Sequence, residues 1–191
     1  MPRQPDARLE GHILDAAYRL WKKGGQKALT MRAVAHAAGT TTPTVYERFR
    51  DRRAILDSLG LRARQKLHAA IKPSRTLADL CRRYFDFALK HSNEYELIHA
   101  DWVHRYARGE SQLSFELLKA RIAERLGGRP DDHTRLAIAL AALLHGATVV
   151  LLTKGIEERV ARDIRESATA AFEALVEDAA HDRFLEKRAA D

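Results

Sequence analysis

A chain of 191 residues can bury a sizeable core in one or two compact domains, and its single cysteine, Cys81, excludes an intramolecular disulfide and a thiolate metal cluster within one chain. The formal net charge of +7 points to an anionic partner. That charge is uneven: through Lys72 there are 15 Lys or Arg against 6 Asp or Glu, and beyond it 18 against 20, so a cationic N-terminal module precedes a near-neutral body.

The first residues, Met1 to Asp6, have no apolar run of the secretory type, and a cytoplasmic protein is expected. Helical spacing then runs throughout, without the strict alternation of a strand, so the sequence predicts an all-α chain of about nine helices. Leu9, Ile13, Ala16, Ala17, Leu20 and Trp21 form the apolar stripe of a first helix that stops at Gly24-Gly25. Thr30 is placed to cap a short helix with Met31, Val34, Ala35 and Ala38 turned inward, ending at Gly39. Three threonines follow, then Pro43 in the first turn of another short helix whose apolar side is Val45, Tyr46 and Phe49. Asp51 caps a longer helix carrying Ala54, Ile55, Leu59, Leu61 and Leu67 as far as the break at Pro73. Two short helices about a glycine, with the small Ala35 four residues before it, have the form of a helix-turn-helix, although an ordinary helical hairpin gives the same pattern.

The body divides at Gly109, Gly127-Gly128 and Gly155, with about three helices expected between residues 75 and 126. Those helices concentrate aromatic and imidazole side chains, which suit either an apolar ligand cavity or ordinary core. Asp101 and His104 stand three apart, but no second pair at ligand spacing accompanies them, so neither a metal nor another cofactor is expected. The apolar run Leu136 to Leu152, 17 residues rich in alanine with charged flanks, is at the short limit for a bilayer span. A buried bundle or interface helix is expected there, with no membrane partner. Two long helices, about 131–154 and 157–177, close the chain. No nucleophile elbow, phosphate loop, dinucleotide fingerprint or paired-histidine zinc motif is present, so no enzyme is expected.

Residues 8–56 carry a specific likeness: Ile13-Leu14-Asp15-Ala16-Ala17, Trp21 and Gly24, then Thr30-Met31-Arg32-Ala33-Val34-Ala35, then Ala38-Gly39 through Thr44-Val45-Tyr46, Phe49, Arg52 and Ile55-Leu56. In order and spacing this resembles the DNA-binding domain of the TetR/AcrR family of transcriptional regulators. From about residue 75 the likeness is one of helical layout and of the phrase Tyr84 to Tyr95. Three positions depart from the family pattern: Thr40 where a small apolar residue is usual, Pro43 inside the first turn, and Arg53 in place of an acidic residue.

The resemblance implies a helix-turn-helix domain over 1–50, a linking helix over 51–72, and a ligand-binding and dimerisation domain over 73–191. It places the helix from Thr41 or Thr42 to Arg48 in the major groove, with Thr42 and Thr44 at base edges. Thr30 and Tyr46 would meet phosphates by hydroxyl, Arg32 and Arg52 by charge, and Arg3 and Arg8 as arm contacts; Thr40, Thr41, Pro43 and Arg48 complete the candidate surface. Packing of Tyr46 on Phe49 and solvation of Arg48 are the plainer readings of those two residues. Candidate effector contacts are Tyr84, Phe87, His91, Trp102, Tyr106, Phe115 and His145. The expected homodimer face is Leu136, Leu140, Leu143, Ala147 and Val150 with Ile164, Ala168, Ala171, Phe172 and Leu175, where Ala141, Ala142 and Gly146 permit close approach. The implied function is a repressor that binds a palindromic double-stranded operator as a dimer and is released by a small apolar or aromatic molecule. The alternatives are a nonspecific or architectural DNA binder and a TetR-like activator without a ligand.

Overall fold

A computed structural model describes residues 7–100, 102–110 and 112–190, with side chains placed except for Ala7, Val103, His104 and residues 182–190. Arg3 and Asp101, and the side chain of His104, lie outside that description.

The described residues form ten α-helices and one short 3-10 helix, with no strand among them. The helices are α1 (Ala7–Ala28), α2 (Met31–Ala37), α3 (Thr42–Arg48), α4 (Arg52–Ile71), α5 (Leu77–Lys90), α6 (Ser92–His99), α7 (Trp102–Ala107), α8 (Leu113–Leu126), α9 (Thr134–Leu151) and α10 (Glu158–Ala190). The extra helix relative to the expected nine arises because residues 75–126 hold four helices, two of them short.

The chain divides into two compact units, one of residues 1–63 with 96–100, the other of 64–95 with 101–191. The division falls inside α4 after Ala63, so this helix contributes to both units.

In the first unit α1 packs on α2 and α2 on α3. Ile13, Ala16, Ala17, Trp21, Val34, Ala35, Val45, Phe49, Ile55 and Leu59 make its core, while Leu9 and Leu20 are half-covered. Leu61, expected inside, is 49% exposed. Polar capping fixes the helix ends: Thr30 Oγ1 accepts from Ala33 N at 3.1 Å, Thr41 Oγ1 from Thr44 N at 3.3 Å, and Asp51 Oδ1 from Ala54 N at 2.8 Å. The Ala54 amide holds the Asp51 carboxyl below its ordinary range.

In the second unit α5 packs against α9, α10 and α8, and α9 against α10. Phe85, Leu80, Ile122, Leu140, Leu144, Ala168 and Phe172 fill its centre. The 3-10 turn Pro130–His133 delays the start of α9 to Thr134. His133 is buried there with Nε2 against Gly127 O at 2.8 Å.

Candidate nucleic-acid interface

The turn between α2 and α3 follows from one backbone requirement. Gly39 has φ +64, and a Cβ built there meets nothing within 4 Å, so glycine is needed for its conformation and not for space. Its amide donates to His36 O at 3.2 Å and that of Thr40 to Ala35 O at 3.0 Å, the paired bonds of a Schellman cap that closes α2 and redirects the chain. Thr41 then caps α3 and Pro43 occupies its first turn, where no amide hydrogen is missed.

On α3, Val45 is fully buried and Phe49 follows it inward, whereas Tyr46 is 53% exposed. The ring of Tyr46 is thus outside the small core, and its hydroxyl is available to a partner. Thr42, Thr44 and Arg48 are half-exposed, as is Thr40, while Thr41, Pro43, Thr30 and Arg32 are open. Thr41 and Thr44 are joined hydroxyl to hydroxyl at 2.9 Å. This fixes the Thr44 side chain at the front of the helix. Arg52 is turned elsewhere: its Nη2 donates to Gln26 O at 2.8 Å, in the short turn that follows the break of α1 at Gly24-Gly25. Arg19 closes the carbonyl end of α2, donating to Ala37 O at 3.3 Å, a role the sequence did not suggest. Arg50 pairs with the neighbouring Asp51 at 3.1 Å, and Arg53, the departure from the family pattern, pairs with Asp57 at 3.0 Å.

The seven effector candidates of the body fall into three groups. Tyr84 donates to Tyr95 at 3.2 Å, and Tyr95 Oη meets His145 Nδ1 at 2.6 Å, with the Tyr95 and His145 rings stacked 5.8 Å apart. Phe87 lies 5.1 Å from His91. Trp102 stacks on Tyr106 at 5.6 Å and both meet Phe115 edge-on. Tyr95 and the buried Thr148, three residues beyond His145, were absent from the sequence-derived set although their spacing places them beside it. Two cavities, about 350 and 460 Å³, adjoin the start of α5; they are lined by residues such as Arg75, Arg121 and Glu173, and Asp79, Arg82 and Arg165. None of the seven candidates lines either cavity. Among the described residues no cluster of three His, Cys, Asp or Glu forms a metal site.

Burial pushes the Tyr84 hydroxyl well above its ordinary range and His145 below the usual 6.5. His145 is therefore neutral at pH 7, with Nδ1 bonded to the Tyr95 hydroxyl. A folded value below the unfolded one means that its contribution to stability is complete above pH 6.5 and is lost as acid protonates the folded state. Urea midpoints measured from pH 7.5 down to 5 should fall in the wild type and fall less in His145→Gln.

On α9 and α10 the expected partner face needs correction. Leu140 and Phe172 are 0% exposed and Ala168 is buried, so these three belong to the chain's own core. Leu136, Leu143, Ala147 and Ile164 are half-covered, and Val150, Ala171 and Leu175 are open. Ala139, Ala142, Gly146 and Val149 extend the open stripe on α9, and Ser167 and Ala174 that on α10. The segment Pro130–Leu151 is long and apolar enough to cross a membrane by composition, its most apolar 18-residue stretch having mean hydropathy 1.7, yet only 28% of that stretch is buried.

A capped helix, a glycine-dependent turn and a second short helix with a polar front, followed by a helical body with its own core, define a helix-turn-helix DNA-binding regulator. Residues 13–59 match the bacterial regulatory proteins of the tetR family, and residues 77–178 match the tetracyclin repressor-like C-terminal domain. The chain belongs to the TetR family of transcriptional regulators, with an N-terminal DNA-binding domain and a C-terminal ligand-binding domain.

Among solved structures, a TetR-family transcriptional regulator from Streptomyces coelicolor is 25% identical, with TM-score 0.64 over 90% of this chain and 98% of that one. A protein of unknown function from Rhodococcus sp. RHA1 shares the fold at 23% identity and TM-score 0.68, covering 93% and 98%. The multidrug binding protein EbrR, solved with imidazole, shares it at 23% identity and TM-score 0.63, covering 92% and 93%. No curated protein matches the chain.

Proposed function

We propose that this protein is a homodimeric repressor that reads a palindromic operator through α3 and leaves it when a small apolar or aromatic effector enters the body. The observation that carries the dimer is the apolar stripe left open on α9 and α10, which water disfavours and a second copy would cover. One short recognition helix spans too few base pairs to select a site alone, and a twofold pair supplies two half-sites. The effector reading draws on the aromatic groups around Tyr95 and Phe115, and EbrR, with its multidrug binding, is a fold neighbour that makes such a molecule a reasonable first probe. Effector binding would act by population shift through α4, one continuous helix from Arg52 to Ile71.

Fluorescence anisotropy on the DNA upstream of the protein's own gene and on a scrambled duplex, at two salt concentrations, tests the reading. Preferential, salt-sensitive binding by two subunits or a multiple of two supports it. Equal affinity for both duplexes would favour a nonspecific or architectural binder. In the same assay Thr44→Ala should relax base preference at a cost of about 1–3 kcal/mol. Tyr46→Phe should instead weaken binding evenly across sequences by about 1 kcal/mol, as loss of a neutral phosphate hydrogen bond predicts. Both variants should remain dimeric by sedimentation, because neither side chain lies in the core; loss of the dimer would remove these assignments.

A further inference from the structure

Three ionisable side chains of the second unit, Lys66 on α4, His91 at the cap of α5 and Glu94 on α6, meet where α5 ends. Lys66 of α4 places Nζ 2.6 Å from Glu94 Oε1 and 3.2 Å from His91 Nδ1, and His91 Nδ1 is 3.7 Å from the same carboxylate oxygen. Glu94, in the first turn of α6, is buried, whereas the Lys66 side chain is 48% exposed. An ammonium only donates, so the contact at 3.2 Å requires His91 to be neutral with its proton on Nε2. His91 is itself held at the end of α5, its amide bonded to Phe87 O at 2.8 Å and its ring against that of Phe87.

We propose that Lys66, His91 and Glu94 form a proton-operated catch on α4. With His91 neutral, Lys66 bridges the carboxylate and the ring and ties the C-terminal half of α4 to α5 and α6. When His91 Nδ1 takes a proton from water, the acceptor becomes a donor bearing positive charge. It repels Lys66 and competes for Glu94, so the tie to α4 is lost. Burial is the largest influence holding His91 below its ordinary range; Lys66 from α4 and Lys90 from α5 act in the same direction, and Glu94 from α6 opposes them. The catch is thus closed at pH 6.5 and above, and opens as the pH falls through the lowered folded value of His91. Because α4 runs on to Arg52, opening would alter operator affinity; this last consequence rests on the repressor reading, while the catch does not.

Hydrogen exchange of the full-length protein tests the catch without DNA. Protection factors of amides 64–71, corrected for intrinsic rates, should fall about fivefold between pH 7.5 and a pH one unit below the His91 midpoint measured by NMR. In His91→Gln, whose amide oxygen can accept from Lys66 but does not titrate, they should stay level. NMR titration of the His91 ring gives an independent measure, and its midpoint should rise in Lys66→Met. Level protection in the wild type, or an unmoved midpoint in Lys66→Met, overturns the catch. Failure to bind any operator at either pH would instead sink the repressor reading and leave these two results to stand.

Discussion

Replacing Phe172 with alanine is expected to lower stability by about 3–5 kcal/mol, a large part of the total for a domain of this size. Phe172 is fully buried on α10, among helices that pack mutually in the second unit, so truncation leaves a cavity the surrounding side chains can fill only in part. Leu175, three residues on, is exposed, and its replacement by alanine should cost the chain's own fold under about 1 kcal/mol. Urea unfolding at one fixed protomer concentration, needed because association adds apparent stability, separates the two variants. A Phe172→Ala protein as stable as the wild type would show that the division between core face and open face on α10 is misplaced.

The second large effect concerns the open face itself. Gly146 lies at the middle of the α9 stripe, and a Cβ built there meets nothing within 4 Å, so Gly146→Glu should leave the protomer folded and its helix slightly favoured. In the proposed twofold dimer the same change would set two carboxylates into an apolar interface with no counter-ion, at a cost of about 3–5 kcal/mol. The dimer dissociation constant should rise by about 100-fold or more, and operator binding should weaken with it. Sedimentation velocity with circular dichroism decides the matter: a helical monomer is the predicted result, and an unchanged dimer would place the interface elsewhere.

These two residues also show where sequence is a good guide and where it is not. The reading head was legible because its signals are local: Thr30 and Asp51 accept the amides three residues ahead, and Gly39 adopts the positive φ that its place after Ala38 suggested. The faces of α9 and α10 were not. Both helices carry apolar or small residues around much of their circumference, so periodicity alone could not tell the side that packs within the protomer from the side left open. Leu140, Ala168 and Phe172 therefore fell into the wrong set.

Long-range polar pairings were equally hidden. Nothing near Arg52 in sequence announces that it bonds the Gln26 carbonyl beyond the break in α1, 26 residues away, or that Lys66 finds Glu94 at a separation of 28. The aromatic body was recognised as a group, but its division around Tyr95 and around Phe115 depends on how α5 to α9 pack. No pattern within a single helix carries that information.

The central claim, that α3 from two copies reads two half-sites, is tested most directly by selecting bound duplexes from a random pool with the purified protein and sequencing them. The account predicts enrichment of an inverted repeat whose half-sites lie about one helical turn apart or a multiple of it, lost in Thr44→Ala and in Gly146→Glu. Enrichment of a single undivided site, or no enrichment over the starting pool at moderate salt, would contradict it.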